Sequence, residues 1–199
     1  MGQGSSAMKH HLPRLIAGQI FLHACMAGMR MATPLLALQQ GFSAMAVGAL
    51  LALFALTQVF LALPAGRYAD RQGLKKPLLI SVLMSATGAG VSVIWPVFPV
   101  LCLSALATGG ATGMAVIALQ RHVGRMAKDP AELKAAFSWL SIGPAISNFL
   151  GPVLAGLLID YAGPEPAHLT GFRWAFLLMA LLPLVTWLWV RQAPELHIP

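Results

Sequence analysis

Long apolar runs separated by short polar connections are the main pattern of this 199-residue chain. A helix needs about 20 mostly apolar residues to cross the hydrocarbon core of a bilayer. The runs that meet this requirement lie at about 15–38, 44–64, 77–95, 98–119, 136–159 and 173–190. Because lipid offers backbone amides no hydrogen-bond partner, each run is predicted to be helical. The pattern therefore predicts an all-α membrane protein with six transmembrane helices.

The composition excludes a water-soluble domain. Only 10% of the residues are charged and 58% are hydrophobic, whereas a soluble domain carries about 25% charged residues. The net charge of +7 does not indicate a nucleic-acid partner, because the basic residues lie in short connections and form no face with interleaved aromatics. The lipid bilayer is the expected surrounding.

Lysine and arginine are unevenly divided between the two sets of helix ends. One set contains Lys9, Arg14, Arg67, Arg71, Lys75, Lys76, Arg121, Arg125, Lys128, Lys134 and Arg191, and the other contains Arg173. Cytoplasmic connections are enriched in these residues, so both termini are predicted to be cytoplasmic, in a plasma (bacterial inner) membrane. The predicted units are a tail over 1–13, a multi-pass bundle over 14–191, and a tail or linker over 192–199.

Polar residues on one face of the first span suggest a substrate cavity. Gln19, His23 and Arg30 are spaced by four and seven residues, which places them on one helical face. A charge at mid-bilayer costs about 2.5–3.5 kcal/mol, so Arg30 is predicted to line a cavity and attract an anionic substrate. The alternative is that Arg30 snorkels to the headgroups. Similarly, His23 is a candidate proton carrier, with a hydrogen-bonded packing role as the alternative.

Small residues recur every four positions in the fifth span. They are Gly143, Ser147, Gly151 and Ala155, and this spacing lets two helices approach closely. Asn148 and Ser141, seven residues apart, form a separate polar line, and Asn148 joins the candidate cavity. Pro144 and Pro152 remove backbone donors and are expected to bend the helix.

Enzyme motifs are absent from the sequence. It contains no G-x-S-x-G, H-E-x-x-H or P-loop pattern, and no pair of carboxylates within the spans. Cys25 and Cys102 lie in apolar runs without metal-ligand spacing. The sequence therefore predicts a protein that is not an enzyme and that has no metal, nucleotide or organic cofactor.

The connection between the second and third spans reads GRYADRQGLKKP, over residues 66–77. It resembles the signature loop of the major facilitator superfamily, G-x-x-x-D-R-x-G-R-K, with Leu74 in place of a basic residue. The resemblance implies a gating motif of Gly66, Asp70, Arg71, Gly73 and Lys75. Asp70 would close the cytoplasmic side against the opposite half of the transporter, with Arg71 as its local partner. Lys75 would hold the loop at anionic headgroups, or serve only as an orientation signal.

A second resemblance lies in the fifth span. SNFLGPVLAG, over residues 147–156, looks like the family's G-x-x-x-G-P-x-x-G-G motif, through Ser147, Gly151, Pro152 and Gly156. That motif is more typical of antiporters that export small compounds. The family's fourth-helix arginine motif is absent, with Ala105 and Leu106 at the candidate positions.

The resemblance extends from about residue 14 to 191 and implies the N-terminal six-helix half of a transporter. It implies secondary active transport of a small molecule by alternating access, as efflux coupled to proton antiport. Organic-anion uptake by symport is the alternative within this class, and a non-transporting scaffold or inactive half is the alternative outside it. The expected partner is a second six-helix half, either a missing C-terminal segment or another chain, including a second copy.

Overall fold

The computed structural model describes residues 3–162 and 169–195. These residues form α1 (Gln3–Gln39), α2 (Ala44–Gln72), α3 (Lys75–Ile94), α4 (Phe98–Met126), α5 (Pro130–Leu140), α6 (Ile142–Tyr161) and α7 (Leu169–Val190). Within these described ranges there is no β-strand.

Six helical stretches of this part of the chain are long and apolar enough to cross a membrane. They are His10–Gln39, Ala44–Gln72, Lys75–Ile94, Phe98–Met126, Pro130–Tyr161 and Leu169–Val190. The predicted all-α fold with six transmembrane helices is confirmed.

The predicted span over 136–159 is interrupted at Ser141, where α5 ends and α6 begins. The cause is local. Pro144, in the first turn of α6, has no N–H, so the Leu140 carbonyl cannot accept the usual helical bond from four residues ahead. Ser141 fits this junction, because its hydroxyl donates a 2.6 Å hydrogen bond to the Ser138 carbonyl. The start of α5 is capped by Asp129, whose Oδ1 accepts the Glu132 N–H at 2.8 Å.

α1 and α4 lie at the centre of the bundle. α1 packs against α4, α6 and α7, while α4 packs against α2 and α3. α3 and α7 also pack together. α2 has few neighbours besides α4 and presents exposed apolar residues, among them Val59, Phe60 and Leu63. In a membrane-spanning bundle such a face meets lipid or another protein, and its exposure costs nothing comparable to exposure in water.

Two apolar clusters fill the bundle, one at each end. The α2–α3 connection and residues 191–195 lie at the same end, which we call the motif end. The cluster there includes Leu15, Leu74, Val123 and Ala193. The cluster of the opposite end contains the fully buried rings of Phe172 and Phe176 among its members. The motif end is thus a packed layer on which the predicted gating loop rests.

Candidate functional site

A glycine turn joins α2 to α3 at the motif end. Gly73 ends α2 with φ 77° and ψ −149°, a backbone conformation that essentially only glycine adopts without strain. Its N–H donates to the Ala69 carbonyl at 3.1 Å. The chain then turns directly into α3, which begins at Lys75. Gly73 thus permits a tight turn between the two helices.

Asp70, in the last turn of α2, forms an ion pair with Arg121 at the end of α4. Arg121 Nη1 lies 2.6 Å from Oδ1 and 2.5 Å from Oδ2 of the carboxylate. The side chain of Asp70 is 50% exposed and that of Arg121 is 46% exposed. The expected partner was Arg71, and the structure corrects this. Arg71 is exposed on α2, and the Asp70–Arg121 contact is the one ion pair among the described residues.

From the sequence alone, Arg121 is only one of the basic residues that indicate the orientation of the chain. The signal that could have identified it is its spacing from Arg125, four residues on along the same helical face. Arg125 Nη2 donates to the Ala69 carbonyl at 3.3 Å, and its Nε donates to the Arg121 carbonyl at 3.2 Å. Both arginines of α4 therefore bind the end of α2, Arg121 through Asp70 and Arg125 through the Ala69 carbonyl.

Gly66 is buried beneath this arginine pair. A Cβ at Gly66 would lie 2.9 Å from Arg121 Nη2, so a side chain there would displace the guanidinium that binds Asp70. Gly66 therefore permits a close approach between α2 and the side chain of Arg121. Gly66, Asp70 and Gly73 are brought together with Arg121 and Arg125 into one arrangement, which we call the gate cluster.

The lysines of the loop make local contacts. Lys76 Nζ donates to Gln72 Oε1 at 2.7 Å. The backbone N–H of Lys75 donates to Glu195 Oε1 at 3.0 Å. Glu195 follows α7, and sequence reasoning assigned it no role.

The fifth-helix motif forms the contact between α6 and α1. Ser147 Oγ lies 2.9 Å from the Ile20 carbonyl on α1 and 2.8 Å from the Gly143 carbonyl on its own helix. A Cβ at Gly151 would lie 2.5 Å from the Ala24 carbonyl oxygen, so the two backbones touch at that glycine. Small residues permit this approach.

The other two members of the motif are less constrained. Gly156 is spaced more loosely, with Met31 Cε 3.7 Å from the position of its Cβ. Pro152 lies within α6 and is half-buried. Gly151 is therefore the member that decides how closely α6 approaches α1.

All four candidate cavity residues lie along the line where α1 meets α6, which we call the α1–α6 seam. Arg30 is exposed, and its Nη2 donates to Asn148 Oδ1 at 3.1 Å. His23 is adjacent to both Arg30 and Asn148. Gln19 lies against Gly143, whose Cβ would be 2.6 Å from Gln19 Oε1. The three residues that helical spacing places on one face of α1 thus all lie against α6.

An apolar groove of about 570 Å³ continues this seam toward the motif end, between α1 and α5. Its lining includes Ile16 and Ile20 of α1 and Trp139 of α5, and Glu132 is its charged member. Since Ile20 adjoins Gln19 in sequence, the groove begins where the polar part of the seam ends. A compound with both apolar and polar parts would find matching surfaces along this line.

Neither metal-binding nor disulfide chemistry has support in the part of the chain that the structure describes. Within it no three His, Cys, Asp or Glu residues are grouped to hold a metal ion. Cys25 and Cys102 are free thiols. The polar contacts of the seam are instead hydrogen bonds, such as the one from Arg30 to Asn148.

The chain was compared with known proteins. No curated protein matches it. The family model of the Major Facilitator Superfamily matches residues 15–198, which is nearly the whole chain. Members of this family are integral, multi-pass proteins that carry small molecules across a lipid bilayer by secondary transport, and they are not enzymes. With its six spans and its signature loop, this chain belongs to the major facilitator superfamily.

Proposed function

We propose that this chain is the N-terminal half of a secondary transporter that exports a small molecule in exchange for protons. The observation that carries the proposal is the contact between Arg30 and Asn148 on the exposed side of the α1–α6 seam. Arg30 lies nine residues before the end of α1 at Gln39, or about 14 Å at 1.5 Å per residue. Asn148 lies thirteen residues before the end of α6 at Tyr161, or about 20 Å.

If the helix ends lie near the membrane surface, such depths would put both polar side chains inside a hydrocarbon core of about 30 Å. A guanidinium that faces lipid at such a depth is costly. The seam is therefore expected to face an aqueous cavity that a second six-helix half closes. That half would be either a continuation of this chain or a separate subunit.

The gate cluster would act at the cytoplasmic end of this cavity, with both termini on the cytoplasmic side. Asp70 and Arg121 tie the end of α2 to the end of α4, so the two helix ends would move as one body. The half-exposed carboxylate remains accessible to a helix end of the opposite half. Alternating access would then proceed by rocking of one half against the other, with this contact made and broken in each cycle.

The direction of transport is inferred from the fifth-helix motif, which is more typical of exporters. Uptake of an organic anion by symport is the second candidate, and one observation favours it. Arg30 has no acidic partner among the described residues, where the one ion pair is between Arg121 and Asp70. An anionic substrate would supply the missing countercharge.

Everted membrane vesicles from bacteria that produce this chain provide the test. A pH gradient is established and followed by acridine orange, and ethidium or carboxyfluorescein is then added. Proton antiport predicts that adding an exported compound releases protons from the vesicle lumen, and that it does so only in vesicles that contain the chain. Asp70→Asn is expected to abolish the response at an unchanged amount of inserted protein.

Asp160→Asn is the matched control, because Asp160 is an exposed carboxylate at the C-terminal end of α6. An Asp70→Asn variant with undiminished flux would contradict the gate. A chain that moves neither compound nor protons would favour the scaffold function instead.

A further inference from the structure

Helix α3 receives its N-terminal cap from a residue 120 positions later in the chain. The residue before α3 is Leu74, whose apolar side chain cannot accept a hydrogen bond from the first free N–H groups. The N–H of Lys75 donates instead to Glu195 Oε1 at 3.0 Å. A carboxylate at this position satisfies an otherwise free donor and is attracted by the positive end of the helix dipole.

The glycine turn accommodates this carboxylate. Apart from the residues adjoining Gly73 in the chain, the described atoms within 4 Å of a Cβ position there are Glu195 Oε1 at 3.7 Å and Glu195 Cδ at 3.8 Å. The segment that carries Glu195 is itself anchored, because Ala193 is 2% exposed and belongs to the same apolar cluster as Leu74. Residues 193–195 therefore form a short strap across the α2–α3 turn.

Hydrogen bonds connect this strap to the gate cluster. The N–H of Gly73 and the guanidinium of Arg125 both donate to the Ala69 carbonyl, at 3.1 and 3.3 Å. Ala69 precedes Asp70, and Arg125 also bonds to the carbonyl of Arg121. A displacement of Gly73 would thus be transmitted to the residue that carries the gate carboxylate.

The buried side chain of His122 lies near Glu195. His122 is 2% exposed, and Arg125, Glu195 and His11 lie close enough to act on it electrostatically. Glu195 is the acidic member of this group. Its carboxylate therefore faces the start of α3 and also lies near the buried imidazole of His122.

We propose that Glu195 is a positioning residue for the gate: by capping α3 at Lys75 it holds the Gly73 turn, and through it Asp70, in place against Arg121. The inference rests on the proposed role of this loop as the transporter gate. It makes the end of α7 a determinant of gate geometry, although α7 contributes no residue to the signature loop.

The test uses the full chain in lipid nanodiscs and the variants Glu195→Ala and Glu195→Gln, with Asp160→Ala as the control. Hydrogen exchange resolved to single residues reports the Lys75 amide directly. Loss of a hydrogen bond to a charged acceptor is expected to speed this exchange about tenfold or more in Glu195→Ala. Exchange at Gly73 should also rise. Glu195→Gln, which keeps an acceptor oxygen, should restore much of the protection, and Asp160→Ala should change neither amide.

A double-mutant cycle between Asp70→Asn and Arg121→Gln, made with and without Glu195→Ala, separates positioning from simple capping. If Glu195 positions the gate, the coupling free energy between Asp70 and Arg121 from this cycle should be smaller in the Glu195→Ala background. Unchanged Lys75 exchange, or faster exchange with undiminished coupling, would overturn the proposal. If the coupling falls but Asp70→Asn vesicles still transport normally, positioning is supported and the gate function fails.

Discussion

Arg121 at the end of α4 binds the Asp70 carboxylate at the end of α2, with its Nη1 2.6 Å from Oδ1 and 2.5 Å from Oδ2. About half of each side chain is exposed, and exposed ion pairs contribute little to stability because water and salt screen them. The geometry is well defined, since Gly66 leaves room for the guanidinium. This pair is therefore better explained by a role in controlling the helix ends than by a role in holding the bundle together.

Replacement of Arg121 by Gln tests this distinction. The free energy of unfolding is expected to fall by about 1 kcal/mol or less, the range typical of exposed ion pairs. The proton flux of the vesicle assay is expected to fall nearly to background. Unfolding by SDS, followed by the loss of helical circular dichroism, measures the first quantity. Arg67→Gln is the control, because Arg67 is an exposed arginine on the preceding turn of α2.

The exchanged pair, Asp70→Arg with Arg121→Asp, sharpens the result. If attraction between the two helix ends is what matters, the double variant should recover part of the flux that either single change loses. A loss of several kcal/mol of stability in Arg121→Gln would instead assign the pair a structural role.

Hydropathy was sufficient to predict the six spans, because burial in lipid imposes a length and an apolar composition that few other structures share. It did not predict the break at Ser141, which depends on the missing N–H of Pro144 within a still apolar run. Helical spacing alone placed Gln19, His23 and Arg30 on one face. The contacts of Arg30 and His23 with Asn148 depend on how α1 crosses α6.

The partner of Asp70 shows the same limit. Arg71 adjoins it in sequence, whereas Arg121 is 51 residues away, and charge patterns alone do not show which helix ends meet. The cap that Glu195 supplies to Lys75 is also nonlocal, at a separation of 120 residues. Sequence rules expect the residue before a helix to cap its N-terminus, but Leu74 has an apolar side chain that cannot accept a hydrogen bond.

Gly151→Ala is expected to loosen the contact between α1 and α6. The added methyl would lie 2.5 Å from the Ala24 carbonyl oxygen and 2.8 Å from the Gly28 nitrogen, and these backbone atoms move only if the helices separate. Overpacking of this kind costs about 1–3 kcal/mol. The midpoint of thermal unfolding in detergent should fall accordingly.

Gly156→Ala provides the matched comparison in the same helix. Its methyl would meet Met31 Cε at 3.7 Å, an ordinary contact, and alanine favours a helix by up to about 1 kcal/mol over glycine. Its midpoint should stay level or rise. Equal losses from the two substitutions would contradict the close backbone contact at Gly151.

Gly73→Ala is expected to strain the turn between α2 and α3. A residue with a Cβ at φ 77° and ψ −149° costs about 1–3 kcal/mol, and relaxation of the turn would move Lys75 away from Glu195. Limited proteolysis after the basic residues of the loop should accelerate, together with a lower unfolding midpoint. Gly124→Ala is the control, since beyond its chain neighbours and the nearby backbone of α4 no described atom lies within 4 Å of its Cβ position. If Gly124→Ala were equally sensitive, the effect could not be assigned to the backbone of the turn.

Arg30→Gln tests whether the seam selects for negative charge. Glutamine retains an N–H group that can reach toward Asn148 but removes the cation, so an anionic ligand should lose a charged hydrogen bond of about 1.5–3 kcal/mol, or roughly 10- to 150-fold in affinity. Benzoate and benzamide are a matched pair of probes, because they differ mainly in charge. Tryptophan fluorescence titration of the chain in nanodiscs should show a large loss of affinity for benzoate and a small one for benzamide. Arg173→Gln, at the start of α7, should affect neither probe. Equal losses for both probes in Arg30→Gln would remove the argument for an anionic substrate, because they would show that Arg30 shapes the seam through packing and not through its charge.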